Sequence, residues 1–227
     1  MNFDFTDDQE QLRDAVRKWV DKAYTFERRR TIEKAGGFSR EAYGEIAELG
    51  LGGLYIPEDD GGLDMGPVEG MVVMEELGRG IVLEPFSQTL IAGALLAGYA
   101  PDSLKSACLP KIASGEALVV LAQQERASRY KLDICNAKAT LAQGQWALSA
   151  TKSVVPAGDQ ADAFIVPAVA DGRLALFLVE RAGRGVTTRG YGTQDGGRAA
   201  ELALMDAPAS LITLDGLAAL EHAVDIG

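Results

Sequence analysis

Residues 117–130 read ALVVLAQQERASRY. The opening ALVVL is an apolar run of strand length with two β-branched residues, which reads as a short buried strand. It then passes into Gln, Gln, Glu, Arg, Ser, Arg and Tyr. A buried strand that continues in this way has an end that wants hydrogen bonds, and the stretch raises the question of a ligand there. It is also the joint of the chain. Apolar residues before it recur at the spacing of helices, and those after it at the spacing of strands.

Upstream, residues 1–116 read as helical. Thr6 followed by Gln9 has the form of a capping box, Asp7 and Asp8 suit the positive end of a helix dipole, and Leu12, Val16, Trp19, Val20 and Ala23 follow at helical spacing. Ser39 is placed to cap a second helix, with Ala42, Ile46 and Leu49 on one face and Gly50 as its stop. Pro57 and the pair Gly61 and Gly62 mark a loop. A third helix fits 67–79 with Val68, Met71, Val72 and Leu77 inward. A fourth, over about 85–99, is apolar nearly all round and belongs at the centre; a fifth covers about 101–114 and ends at Gly115.

Downstream, AKATLA (137–142) and QWALSA (145–150) flank Gln143–Gly144, and DAFIVPAV (162–169) and RLALFLVE (173–180) flank Asp171–Gly172. Both pairs read as hairpins, the second with the stronger turn signal, and AAELALM (199–205) is a further strand. Strands at this spacing predict a small antiparallel barrel or sandwich. After Pro208 the pattern returns to helix, with Leu217, Leu220 and Val224 forming an apolar stripe that the remaining residues leave uncovered. The expected fold class is thus α+β: a helical domain over 1–116, an antiparallel β-barrel domain over 117–209, and the first helix of a truncated C-terminal bundle over 210–227.

The net charge of −11, with no basic run, argues against nucleic acid or an acidic membrane surface as partner. The acidic N-terminus MNFDFTDDQEQ does not resemble a signal peptide, and the apolar LIAGALLAGYA at 90–100 is too short to span a bilayer. Two distant cysteines, Cys108 and Cys135, and a single histidine, His222, leave neither a disulfide framework nor a metal site in prospect, and a cytoplasmic compartment is expected. Cys108 is expected as a buried thiol in an amphipathic helix, His222 on the polar face of the last helix, and Trp19 and Trp146 as core or interface residues.

Several stretches together resemble the acyl-CoA dehydrogenases: FTDDQEQL at 5–12, ELGLGGLYIPEDDGGL at 48–63, MEELGRG at 74–80, KSVVPAGDQAD at 152–162 and GYGTQDGGRAAEL at 190–202. The match runs along essentially the whole chain. Ser-Arg-Tyr at 128–130 and Thr-Gln-Asp-Gly at 193–196 are similar to the divergent small-subunit type, as in pimeloyl-CoA dehydrogenases. The resemblance implies a helical domain, a middle β-barrel and a C-terminal four-helix bundle, with FAD between the barrel and the bundles. It implies α,β-desaturation of an acyl-CoA, in which a carboxylate removes the α-proton and the β-hydride goes to the flavin, with an electron-transfer flavoprotein as acceptor. It also implies a homo-oligomer, or a hetero-oligomer with a second acyl-CoA dehydrogenase subunit.

Carried over position by position, the family's Thr-Glu falls on Gln124 and Glu125, its Gly-Ser on Arg129 and Tyr130, and its Trp-Ile-Thr on Val154, Val155 and Pro156. The resemblance therefore implies cofactor contacts at Leu121, Gln123, Gln124, Val154, Val155 and Pro156, and substrate contacts at Arg129 and Tyr130. Pro156 brings neither hydroxyl nor N–H where a hydroxyl is the family's choice. The family's catalytic carboxylate lies beyond Gly227, so the chain reads as a fragment without activity of its own. A non-catalytic partner subunit, or a barrel that binds acyl-CoA without redox chemistry, are the alternatives. Apart from the resemblance, Gln123 and Gln124 read equally well as solvated strand-end residues, Arg129 and Tyr130 as solvated loop residues, and EDDGG at 58–62 as a tight turn.

Overall fold

A computed structural model describes residues 4–227; residues 1–3, the start of the acidic N-terminus, lie outside it. Six helices come first: α1 (Asp7–Lys22), α2 (Phe26–Lys34), α3 (Arg40–Glu48), α4 (Pro67–Arg79), α5 (Phe86–Tyr99) and α6 (Asp102–Ala113), with 3-10 turns at Leu51–Gly53 and Glu58–Asp60. The strands are β1 (Val119–Leu121), β2 (Lys138–Ala142), β3 (Gln145–Pro156), β4 (Ala163–Ala170), β5 (Arg173–Glu180), β6 (Val186–Gly192) and β7 (Arg198–Thr213), and α7 (Gly216–Ile226) follows. No helix among the described residues is long and apolar enough to cross a membrane.

Local signals place the helices. Thr6 and Gln9 form the reciprocal capping box on α1, Ser39 Oγ accepts from the Ala42 N–H at the start of α3, and Gly50 takes φ 82° just past its end. α5 is buried on all sides over 89–96 and packs against α6, β1 and α7, as an all-round apolar helix must. On α4 the buried face is Gly70, Val72, Val73, Glu76 and Leu77, set by Val16 and Val20 of α1, while Val68 and Met71 face outward, contrary to expectation. Leu49 likewise sits at the exposed end of its helix. α2 escaped the periodicity because FERRRTIEK buries only Ile32; it is held by the Thr25 cap and by Arg28, which donates to both oxygens of Glu45.

The β-region is a closed, mixed barrel rather than an antiparallel one. β2, β3, β7 and β5 pair in antiparallel succession and β5 returns antiparallel to β4, but β4 closes onto β2 in parallel and also takes β1 in parallel. The parallel pairs join strands distant in the chain, which hairpin signals do not report. Both expected hairpins form, with positive φ at both turn residues: 52° and 77° at Gln143–Gly144, 49° and 79° at Asp171–Gly172. The mostly exposed β6 lies on the outer edge of β7. β7 runs through Pro208 to Thr213 as it passes from β3 to β5, so the last helix begins at Gly216, later than expected. Of its expected stripe, Leu220 is buried against α5 and β5, while Leu217 and Val224 are exposed.

Candidate functional site

β1 and β2 lie end to end along one edge of β4, β1 at 163–165 and β2 at 169–170, while β5 occupies the whole of the other edge. Pro167 sits in the gap between them and has no N–H to offer a strand there. Residues 122–137 therefore leave the sheet after β1 and return at β2. This is the physical reason the apolar run turns polar: the chain departs from a sheet edge and must satisfy its backbone in other ways.

Three bonds hold the point of departure. The Leu121 N–H donates to Gln88 Oε1 at 3.1 Å, the Ala122 N–H to the Ile165 carbonyl at 2.8 Å, and the Ser153 N–H to the Gln124 carbonyl at 2.8 Å. Glu125 holds the return. Its carboxylate accepts from Lys152 Nζ at 2.7 Å, from the Asn136 and Ala137 N–H groups at 2.7 and 3.1 Å, and from Cys135 Sγ at 3.4 Å. Burial opposes the charge on Glu125, yet Lys152 and the two backbone donors hold its carboxyl below the usual range. Lys152 is fully buried. Its position was readable in advance: Leu148, Ala150 and Lys152 share one face of β3, so alternation points the lysine inward and a buried carboxylate had to meet it.

The same lysine precedes a bulge. The β3–β7 register shifts between Lys152 and Val155, which sends Val155 into the core and leaves Val154 at φ 51° and 48% exposed. A β-branched residue in the left-handed region is strained. Val154→Gly is therefore expected to leave stability unchanged or raise it by up to about 1 kcal/mol, while Val155→Gly costs about 2 kcal/mol or more. Urea unfolding of the two variants checks this, and a Val154 loss equal to that of Val155 would contradict the strain.

The end of β1 and the bulge of β3 open on two adjoining cavities of about 280 Å³ each. The first is lined by Gln88 and Ile91 of α5, by Leu121, Gln123, Gln124, Val154 and Pro156, and by Ala223, Val224 and Gly227. The second shares Gln88, Val154 and Pro156 and continues along Phe38, Leu83, Pro85 and Ser87 to Thr193, Asp195 and Arg198. Five of the six expected cofactor residues thus meet on one groove; Val155 is turned away into the core. Arg129 and Tyr130 line neither cavity: they lie on the outlying loop, with Tyr130 96% exposed. Gln88 went unnoticed in the sequence because it stands between Ser87 and Thr89 in the first turn of a mostly apolar helix, where a polar residue is ordinary.

The charges on the groove are already engaged. Arg198 pairs with Asp159 and donates to the Gly36 carbonyl at 2.6 Å, and the Thr193 hydroxyl and the Gly197 N–H hold Asp195 below the usual carboxylate range. Among the described residues no Asp or Glu side chain lines the first cavity. The N–H groups of Gln123 and Gln124 have no partner among the described residues. A larger cleft of about 900 Å³ lies between α6 and the strands, where Cys108, half-buried rather than buried, and Trp146 line it. Trp146 packs edge-on to Phe177, and the half-buried His222 faces the Tyr99 ring rather than solvent alone. Among the described residues no group of three His, Cys, Asp or Glu side chains is disposed to hold a metal ion.

A helical layer joined to a small mixed barrel, with a groove where β1, the β3 bulge, α5 and α7 meet, is an arrangement this chain shares with solved acyl-CoA dehydrogenases. Residues 6–116 match the family model described as acyl-CoA dehydrogenase, N-terminal domain, and the chain is homologous to acyl-CoA dehydrogenases. It is 27% identical over 206 residues to the acyl-CoA dehydrogenase FadE27 of Mycobacterium tuberculosis, covering 90% of this chain and 54% of that protein. It is similar to the ChsE4–ChsE5 complex of Mycobacterium tuberculosis, with 26% identity and a TM-score of 0.87 over 100% of this chain and 61% of the other. An acyl-CoA dehydrogenase from Bacillus anthracis complexed with FAD shares the fold, with 23% identity and a TM-score of 0.88 over 99% of this chain and 41% of that one. The chain spans about half the length of the curated relative named here.

Proposed function

We propose that this chain contributes one wall of the FAD and acyl-CoA site of an enzyme that desaturates an acyl-CoA thioester between its α and β carbons. The observation that carries this reading is the convergence of Leu121, Gln123, Gln124, Val154 and Pro156 on one groove with Gln88 and Ile91. The residues suit a flavin: apolar Leu121, Ile91 and Val154 offer cover for a ring face, and the unpartnered N–H groups of Gln123 and Gln124 are donors for its polar edge. When bound, FAD supplies the acceptor for the hydride that leaves the substrate. This chain's part is to bind, to exclude water with Ile91 and Val224, and to direct N–H groups at the charge that develops. In this reading the proton-abstracting base is not one of the side chains that line the first cavity. In this reading the helical domain ends near 116, the β-domain runs from 117 to the end of β7, and α7 opens a third domain. Arg129 and Tyr130 reach the substrate only at its solvent end. An electron-transfer flavoprotein takes the electrons, in the cytoplasm.

Two observations favour a second reading. Pro156 gives the groove no hydroxyl and no N–H, so its flavin contacts are poorer than the family's, and the chain is similar to one complex that contains two different subunits. In that case the chain is the partner of an active homologue. Titration of the purified chain with FAD, followed by flavin fluorescence, tests both. Binding is expected, and Gln124→Pro, which removes the free N–H, is expected to weaken it about tenfold. No response to FAD together with tight binding of an acyl-CoA would overturn the flavoprotein reading. A longer form of the protein that purifies colourless and only with a second homologous subunit would establish the partner reading.

A further inference from the structure

Glu125, Cys135 and Lys152 form a cluster that the proposed reaction does not use. Lys152 Nζ lies 2.7 Å from Glu125 Oε1 and 3.8 Å from Cys135 Sγ, and the thiol donates to Glu125 Oε1 and to the Pro167 carbonyl, both at 3.4 Å. Lys152 and Glu125 are buried, but Cys135 is only partly so. It lines a surface cavity of about 360 Å³ together with Asn136, Lys138 and Gly172. A small oxidant therefore reaches the sulfur from solvent, while an amine is held against it from the inside.

We propose that Cys135 and Lys152 are an oxidation site, at which hydrogen peroxide joins the two side chains through an oxygen atom bridging sulfur and nitrogen. The sulfur attacks a first peroxide: an S–O bond forms, the O–O bond breaks, the thiol proton leaves with the departing oxygen as water, and a sulfenic acid results. Lys152 passes its extra proton to Glu125 and on to solvent. The freed amine attacks a second peroxide, forming an N–O bond and a second water. The resulting hydroxylamine oxygen then attacks the sulfenic sulfur and expels its hydroxyl as a third water. Thiol, amine and two peroxides thus give the cross-link and three waters, with the thiol and amine together losing four electrons to the peroxides.

The geometry favours this product over further oxidation of sulfur alone. The nitrogen is held beside the sulfur by Glu125, so the hydroxylamine oxygen, once formed, meets the sulfenic sulfur ahead of bulk peroxide. An inserted oxygen also spans more of the 3.8 Å gap than a direct sulfur–nitrogen bond and asks for less movement of a packed strand. Burial pushes the Cys135 thiol above its ordinary value while Lys152 pulls it down, so the first step is slow and needs excess peroxide. Once formed, the link removes the charge of Lys152 and ties the 122–137 loop covalently to β3.

The test needs no cofactor, so its outcome is independent of the flavin reading. The whole chain, carrying Cys108→Ser to remove the other thiol, is treated with peroxide and weighed under denaturing conditions. A gain of about 14 Da is expected, reversed by dithiothreitol, with the Cys135 and Lys152 peptides joined after proteolysis. Cys135→Ser, which keeps the ion pair and so the fold, is expected to abolish it. Gains of about 16 or 32 Da confined to the Cys135 peptide, with the Lys152 peptide free, would overturn the proposal.

Discussion

Replacing Lys152 by Met is expected to cost about 3–5 kcal/mol, a large part of the stability of an ordinary domain. The lysine is fully buried and, among the described residues, is the only cation on a carboxylate that is itself almost fully buried. Removing it leaves Glu125 charged in a low-dielectric wall with two backbone N–H groups and a thiol as its remaining donors. The loss is carried by an orphaned charge, so removing that charge as well should recover part of it. The double variant Lys152→Met with Glu125→Gln is expected to be more stable than Lys152→Met alone, and urea unfolding gives the coupling.

The pH dependence has a definite sign. In the wild type the Glu125 carboxyl is held below its ordinary value, so its contribution is present above the unfolded value of about 4.3 and is lost as pH falls through the folded one. In Lys152→Met burial dominates and the carboxyl rises, so the variant's deficit is expected to shrink between about pH 7 and pH 5 as Glu125 takes up a proton. A deficit below about 1 kcal/mol at neutral pH, or one that grows on acidification, would contradict the role given to this pair.

Legibility from sequence divided along physical lines. Elements written in local signals were readable: the Thr6 box, the Ser39 cap, the all-round apolar α5 and the two hairpins each rest on residues within a few positions of one another. What depends on long-range pairing was not. The parallel closure of β4 on β1 and β2 joins residues about forty and thirty positions apart, and α2 and β6 are held by ion pairs and edge bonds rather than by an apolar stripe. The groove was half legible. Resemblance supplied Leu121, Gln123, Gln124, Val154 and Pro156, but only the bulge decides that Val154 faces out and Val155 faces in. Gln88 enters from a helix thirty-three positions away and has no local mark at all. Glu125 matched a family position without any hint of purpose; the lysine on the inward face of β3 was the clue to it.

The spacing of the glycines of 48–63 answers to backbone crowding. Residues 51–65 fold back on themselves, with Leu63 N–H donating to the Gly53 carbonyl and Asp64 N–H to the Ile56 carbonyl, both at 2.9 Å. A side chain at Gly62 would overlap the carbonyl of Ile56, and one at Gly52 would stand 2.6 Å from the Ala113 carbonyl oxygen at the end of α6. These obstacles are backbone, so no rotamer change relieves them. Gly61 differs: it takes φ 86° but has open space where a Cβ would stand. Gly62→Ala is accordingly expected to cost about 3 kcal/mol or more, and Gly61→Ala only about 1 kcal/mol of left-handed strain. For a chain of this length that is a fall in Tm of about 6–12 °C against about 2–4 °C. Equal losses in the two variants would mean that the conformation of the turn, and not the space beneath Ile56, is what these glycines supply. The unequal result would make the block a packing device that seats the 51–65 loop under α6.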